Sequence, residues 1–252
     1  MAKIRLYIPP QEIKESIILD KRGPLHKLKN VLRLKESQKV HIFDGAGREW
    51  EYKVDRINQK NITITKINKT QKQPTTKPML TLGFPLIQEK KIDFILQKST
   101  ELGVFGFIPF FSSRTTKTGD KGLLRNAIID SKIKRWKKII TEACRQSERL
   151  WIPEIGQPVA LNQLIKNDFN LKLVALPDKN SRIKTINKNC ENILCIVGPE
   201  GGFSEKEVND FQKHNCRAIK LSENILRSET AAIFLSGLIK YLSKQTQYES
   251  KC

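Results

Sequence analysis

The chain has 252 residues, with 46 Lys and Arg against 26 Asp and Glu, for a formal net charge of +20. That length allows one large domain or two small ones. The imbalance favours a polyanionic partner, nucleic acid first, over a membrane surface, because no basic amphipathic helix with an aromatic face stands out.

No apolar run is long enough to span a bilayer, and the N-terminal Met1-Ala2-Lys3-Ile4-Arg5 has no signal-peptide core, so a cytoplasmic protein is expected. The five cysteines (Cys144, Cys190, Cys195, Cys216 and Cys252) are scattered and odd in number, as reduced thiols are. With only His26, His41 and His214 as histidines, no metal-ligand motif forms, and no metal is expected.

Short β-rich runs come first: Val40–Phe43, Trp50–Val54 and Ile62–Thr65. Asp44-Gly45 and Ala46-Gly47 between the first two are a hairpin-turn signal. Thr70 to Pro78 is polar, has two prolines and lacks apolar periodicity, so it reads as a linker. A small β-barrel domain is therefore expected before it. Residues 1–75 carry 17 basic and 8 acidic side chains, net +9, whereas the other 177 residues carry 29 and 18, net +11. The small domain is the more densely positive one.

Beyond the linker, strands and helices alternate. Leu80–Phe84 predicts a strand. Ile92, Ile95, Leu96, Ser99 and Leu102 share one helical face, ended by Gly103. Phe105–Phe111 is a second apolar run. Ile133, Trp136, Ile140, Ala143 and Cys144 mark a long basic helix, and Leu171–Leu176 is another strand. This alternation argues for a mostly parallel α/β sheet, whose ligands bind beyond the carboxyl ends of its strands.

The apolar run Ile193–Val197 suits a strand buried on both faces. Gly198-Pro199-Glu200-Gly201-Gly202-Phe203-Ser204 follows it, and Ser204 and Glu207 have capping-box spacing for a helix. The turn lacks the Gly-Lys-Ser/Thr of a phosphate loop and the dinucleotide fingerprint, which disfavours a nicotinamide-dependent dehydrogenase. Three segments, Leu176-Pro177, Gly198–Gly202 and Leu221–Leu226, follow predicted strands, so they are expected at one sheet edge, where one pocket can form. The last helix, from about Ser228 to Leu242, is apolar on most sides, so it is either a buried core helix or a subunit interface.

With these residues assembled, the chain resembles the RsmE family of SPOUT-class methyltransferases, which use S-adenosylmethionine to methylate N3 of a uridine in 16S ribosomal RNA. The resemblance is collinear over nearly the whole chain. It rests on His26–Lys35 with Phe43-Asp44-Gly45, Asp93–Val104, Ser113-Arg114-Thr115, Arg135-Trp136, Glu142–Ser147, the turn Gly198–Ser204, and Ile225-Leu226-Arg227-Ser228-Glu229-Thr230-Ala231. It implies a PUA-like RNA-binding β-barrel domain over residues 1–72. It also implies a SPOUT-type α/β domain with a deep trefoil knot over 78–247. The partners it implies are a second copy of the chain, as a homodimer, and 16S rRNA in the 30S subunit. Five positions depart from the family pattern. Ser222, Asn224 and Ser228 stand where it has Gly, Arg and Thr, with Ser228 keeping the hydroxyl, and Ser37-Gln38 stands where it has Gly-Asp, read as a harmless turn change.

Residue by residue, the cofactor is expected on Leu176, Gly198, Gly202, Leu221, Asn224, Ile225 and Leu226. RNA is expected on Arg5, Arg33, Lys98, Arg114 and Arg149. Methylation at N3 requires loss of a proton and stabilisation of the resulting anion. Arg227 is the candidate for that task; a phosphate contact or an ion pair with Glu229 is the other reading. Glu200 and Glu229 are candidate bases or helix caps. A non-catalytic ribosome-assembly factor, or a SPOUT enzyme acting on another RNA, is the alternative function.

Overall fold

Alternation of apolar and polar residues builds a mixed sheet from the N-terminal strands. The computed structural model describes residues 3–20, 34–115, 126–177 and 181–248. The chain clusters into two units, Met1–Thr75 with Cys144–Ile152, and Thr76–Ala143 with Pro153–Cys252.

In the first unit the strands are β1 (Arg5–Tyr7), β2 (Ser16–Leu19), β3 (Lys39–Phe43), β4 (Arg48–Ile57) and β5 (Ile62–Lys72), in the spatial order β1-β3-β4-β5-β2. β1 pairs parallel with β3, and the other pairings are antiparallel. Val40 and Ile42, Tyr52 and Val54, and Ile62 and Ile64 are all buried, the period of two that points one strand face inward. The expected barrel appears as this five-stranded sheet, with no pairing between β1 and β2 among the described residues.

The expected linker is shorter than its composition suggested. β5 runs on to Lys72, with Lys72 opposite Arg48 and Gln71 opposite Glu49. Antiparallel pairing satisfies the backbone without apolar side chains, so a polar stretch can still be strand.

The Asp44–Gly47 turn joins β3 to β4. Asp44 Oδ1 accepts from the amides of Ala46 (2.8 Å) and Arg48 (3.1 Å). Gly45 and Gly47 have φ of +73° and +88°. A Cβ on Gly47 would sit 2.6 Å from the Trp151 ring, and one on Gly45 would sit 2.8 Å from Ile152. The turn thus needs glycine twice over, for the left-handed backbone and for close packing of the Cys144–Ile152 segment.

Arg5 was expected to contact RNA, but it is 2% exposed. Its Nε donates to Glu49 Oε1 at 2.7 Å, and its Nη1 donates to the carbonyls of Cys144 (3.1 Å) and Arg145 (3.0 Å). Its guanidinium lies over Phe43. It is a structural cation, because a buried guanidinium survives only when paired and hydrogen-bonded. Arg33 and most of His26–Lys35 lie outside the described residues.

The second unit has β6 (Met79–Pro85), α1 (Glu89–Glu101), β7 (Gly106–Phe111), α2 (Asn126–Gln146), β8 (Glu154–Ile155), β9 (Val159–Ala160), α3 (Leu161–Leu164), β10 (Leu171–Ala175), β11 (Asn192–Ile196), α4 (Glu205–Lys213), β12 (Cys216–Ile219) and α5 (Ser228–Tyr248). The last turn of α2 clusters with the first unit. The sheet order is β12-β10-β11-β6-β7-β8, with β9 also on β7, and every pairing is parallel. Leu194 and Ile196 join Leu164, Val174 and Phe211 in one apolar cluster, so Ile193 and Cys195 point to the opposite face. α5 packs on α1, β6 and β11. Trp136 of α2 is buried edge-on to Phe84 of β6, with centroids 6.1 Å apart.

Two expectations about helix faces change. Leu102, assigned to the buried face of α1, is its C-cap and is 38% exposed, lying over Gly237 of α5. α5 is buried on one stripe only, through Ala232, Leu235, Ser236, Ile239 and Leu242, while Phe234 and Tyr241 are 48% and 62% exposed. Its apolar circumference exceeds what one chain covers.

Ser37 is not a neutral replacement for glycine. Its φ is +66°, held by its amide donating to Val54 O at 2.8 Å. Ser37→Gly should therefore raise stability by about 0.5–1 kcal/mol, the left-handed penalty less the entropy glycine loses on folding. A higher urea midpoint at unchanged slope is the expected reading.

Glu49 supplies a second test. Burial pushes its carboxyl up, but hydrogen bonds from Lys3 and Arg5, and their charges, outweigh burial and leave it below the usual range. A native carboxyl titrating below its unfolded value of about 4.3 stabilises fully above that pH and loses the contribution as pH falls through the native value. Glu49→Ala should cost about 3–5 kcal/mol at neutral pH by stranding the Arg5 charge, with a smaller cost in acid. Equal losses at pH 7 and in acid would contradict the pairing.

Candidate functional site

Three loops leave adjacent parallel strands at their carboxyl ends and meet. Leu176-Pro177 follows β10, Val197–Ser204 follows β11, and the segment leading to α5 follows β12. They enclose a cleft of about 380 Å³, within the size range of small-molecule sites. Leu176, Gly198, Gly202, Leu221, Asn224, Ile225 and Leu226 all line it, with Pro177, Phe203, Ser222, Ser228, Ala231 and Arg114.

The β11 turn is set by its local sequence. Ser204 is the N-cap of α4, and Glu207 Oε2 accepts from the Ser204 amide at 2.8 Å, which completes the capping box. Phe203 stacks edge-on against Phe211 of the same helix, centroids 4.8 Å apart. A Cβ on Gly198 would come within 2.9 Å of Phe203, so that glycine is required by ring packing rather than by an open approach. Gly202 is different. Its φ is +70°, its amide donates to Pro199 O at 2.9 Å, and a Cβ there would meet nothing within 4 Å. Its bare backbone faces open cleft.

Leu176, Leu221 and Leu226 are partly buried and give the cleft apolar walls, whereas Ile225 is 89% exposed. Ser222, which replaces a family glycine, is absent from the residues of positive φ, so the loop there bears no left-handed strain. Its Oγ accepts from the Asn224 amide at 3.1 Å. Ser228 Oγ is buried against the cleft with no hydrogen-bond partner among the described residues, an unsatisfied donor in a position to meet a ligand.

The charged candidates divide. Arg114 sits at the cleft mouth, with Nη1 donating to Gly201 O at 2.7 Å. Arg227 is exposed and lies just before α5, beside the lining rather than in it; its carbonyl accepts from the Ala231 amide at 2.9 Å. Glu200 pairs with Lys91 of α1. Glu229, in the first turn of α5, keeps Oε2 buried without a hydrogen-bond partner among the described residues. Lys98 lies on α1, away from the cleft lining, paired with Glu101 at 3.0 Å. Arg149 belongs to the first unit, is half-buried, and burial pushes its pKa down while Cys144 partly opposes that. Of the residues expected to meet RNA, Arg5 and Arg149 belong to the first unit, Lys98 and Arg114 belong to the second, and Arg33 lies outside the described residues.

Sequence reasoning placed Arg114 with RNA and did not link it to the cleft. Ser228 was legible only as part of the Ile225–Ala231 motif, and its burial had no separate signal. The role of Glu207 beyond its cap was also missed. Glu207 Oε1 accepts from the Ser113 amide at 2.8 Å and Oε2 from Ser113 Oγ at 2.9 Å. Burial pushes this carboxyl up, and hydrogen bonds from Ser113, Ser204 and Ser112 more than reverse the effect.

Comparison with known proteins agrees with this geometry. The RNA methyltransferase domain family matches residues 74–240, and the RNA methyltransferase PUA domain family matches residues 28–67. Ribosomal RNA small subunit methyltransferase E of Rickettsia conorii is 31% identical over 250 residues, covering 96% of this chain and 97% of its own. The protein of that name from Buchnera aphidicola subsp. Schizaphis graminum is 32% identical over 229 residues, covering 88% and 89%. A Legionella pneumophila methyltransferase solved with bound SAM superposes with a TM-score of 0.85 at 26% identity, over 96% of this chain and 98% of its own. The ribosomal RNA small subunit methyltransferase E of Neisseria gonorrhoeae shares the fold, with a TM-score of 0.83 at 23% identity, over 96% and 98%. A cleft built from the Gly198–Ser204 turn and the Ile225–Ala231 motif, inside a match that spans the second unit, leads to one conclusion: this chain belongs to the RNA methyltransferase family, among the ribosomal RNA small subunit methyltransferase E proteins.

Proposed function

We propose that the protein is an S-adenosylmethionine-dependent methyltransferase that modifies N3 of a uridine in 16S rRNA. The observation that carries this reading is the three-loop cleft, whose lining fits such a cofactor. Leu176, Leu221 and Leu226 suit an adenine ring, Gly202 offers bare backbone, and Ser228 Oγ is a buried polar atom without a partner among the described residues. The bound cofactor would supply an already activated methyl group on a sulfonium.

The chain's own residues must then hold the uridine in line, exclude water and manage one proton. Arg227 and Arg114 flank the cleft as cations suited to a uracil anion, and Glu229 Oε2 is a buried acceptor near the same helix start. A target base must be flipped out or single-stranded, because pairing hides N3.

The fuller reading includes a homodimer, a deep trefoil knot in the second unit and a closed PUA-like barrel in the first. The exposed aromatic side chains of Phe234 and Tyr241 on α5 support the dimer. The return of that last helix onto α1 and β6, the first elements of its unit, supports the knot. The 30S subunit in the cytoplasm is the proposed substrate setting, and no described helix is long and apolar enough to cross a membrane.

The decisive assay is labelled methyl transfer to 30S subunits from a strain lacking the activity, followed by mass spectrometry of the nucleosides. N3-methyluridine is the expected product. No incorporation into 30S, free rRNA or tRNA, with RNA binding intact, would leave a non-catalytic assembly factor. Gly202→Arg should abolish cofactor binding measured by calorimetry, while Gly202→Ala should add only backbone strain of about 1–2 kcal/mol. Arg227→Ala should lower turnover about 10²–10³-fold at unchanged cofactor affinity, the loss typical of one anion-stabilising group. Full activity in that variant would remove its role.

A further inference from the structure

The cleft does not hold Arg114 by itself. Arg114 lies on the segment after β7, distant in sequence from the turn it touches, and its local contact is a long one, its amide donating to Ser112 Oγ at 3.4 Å. What fastens this segment is Glu207, on the first turn of α4. One carboxylate oxygen takes the Ser113 amide at 2.8 Å; the other takes Ser113 Oγ at 2.9 Å and the Ser204 amide at 2.8 Å. Arg114 then reaches Gly201 O at 2.7 Å, inside the turn that Ser204 ends. A charged acceptor gathering several donors is the strong class of hydrogen bond.

We propose that Glu207 is a positioning residue: by clasping Ser113 and Ser204 together it sets Arg114 at the mouth of the cleft, with its remaining guanidinium nitrogens directed to the nucleic-acid anion. The proposal rests on the methyl-transfer reading above for what Arg114 acts upon. The clasp itself is independent of that reading. It goes beyond the capping box, which needs only the Ser204 contact. The lowered carboxyl pKa keeps the clasp ionised throughout the neutral range.

Glu207→Gln separates the two tasks. Glutamine serves the N3 position of a capping box, so α4 keeps its cap. Its single amide oxygen cannot also accept from the Ser113 amide, which would face an NH2 group instead. Two measurements are made on full-length wild type, Glu207→Gln, Arg114→Ala and the double variant. The first is hydrogen exchange at the Ser113 amide, expected to rise about tenfold in Glu207→Gln with an unchanged melting temperature. The second is kcat/KM for 16S rRNA substrate beside the cofactor Kd. Glu207→Gln should lower kcat/KM about 10–100-fold at constant cofactor Kd, the scale of a misplaced positioning group. In the Arg114→Ala background it should lower it no further, since one residue acts through the other.

Unchanged exchange at Ser113 overturns the clasp. Additive losses in the double variant overturn its action through Arg114. An inactive wild type would sink the methyl-transfer reading alone, and the exchange measurement would still decide the clasp.

Discussion

Parallel pairing of β10 with β11 and β12 is the constraint on which the site depends. Parallel strands share a direction, so their carboxyl ends gather at one edge, and each must be followed by a connection that leaves that edge. Leu176, Gly198–Phe203 and Leu221–Leu226 meet for that reason alone. The register of the neighbouring β6–β11 pair sets the depth of the edge, with Ile196 opposite Gly83. Leu164 packs where a Gly83 Cβ would stand, 2.8 Å away, so the same sheet is closed from below by α3.

On that edge, two glycines of one turn have different physical jobs. Gly198 makes room for the Phe203 ring, which locks the turn onto α4 through Phe211. Gly202 alone leaves backbone open to a ligand. Packing therefore rigidifies one end of the turn and leaves the other end free for chemistry, as a preorganised site requires.

The charge of the chain divides in a similar way. Arg5 and Glu49 are buried together and hold strand β1 and the Cys144–Arg145 carbonyls in the first unit. Such a pair organises structure and contributes nothing to long-range attraction, because its charges cancel. The excess of positive charge acts through exposed side chains instead, among them Lys134, Lys137 and Lys138 on α2. Net charge thus argues for a polyanionic partner without saying which cation meets it.

Much of this was legible in the chain itself. Period-two alternation marked β3, β4 and the start of β5. The apolar run at Ile193 marked a strand buried on both faces, and Ser204 with Glu207 marked the start of α4, because each signal is local. β1 and β2 were not legible: three or four residues long, they exist only through pairing with β3 and β5. The sequence alone therefore determined the α/β class, the glycine turn and the family. Only tertiary structure decided that Arg5 is interior, that Ser37 is strained, and that Ser113 and Glu207 meet across 94 positions of chain. Burial, backbone angle and long-range hydrogen bonding are properties of neighbours in space, and no local pattern encodes them.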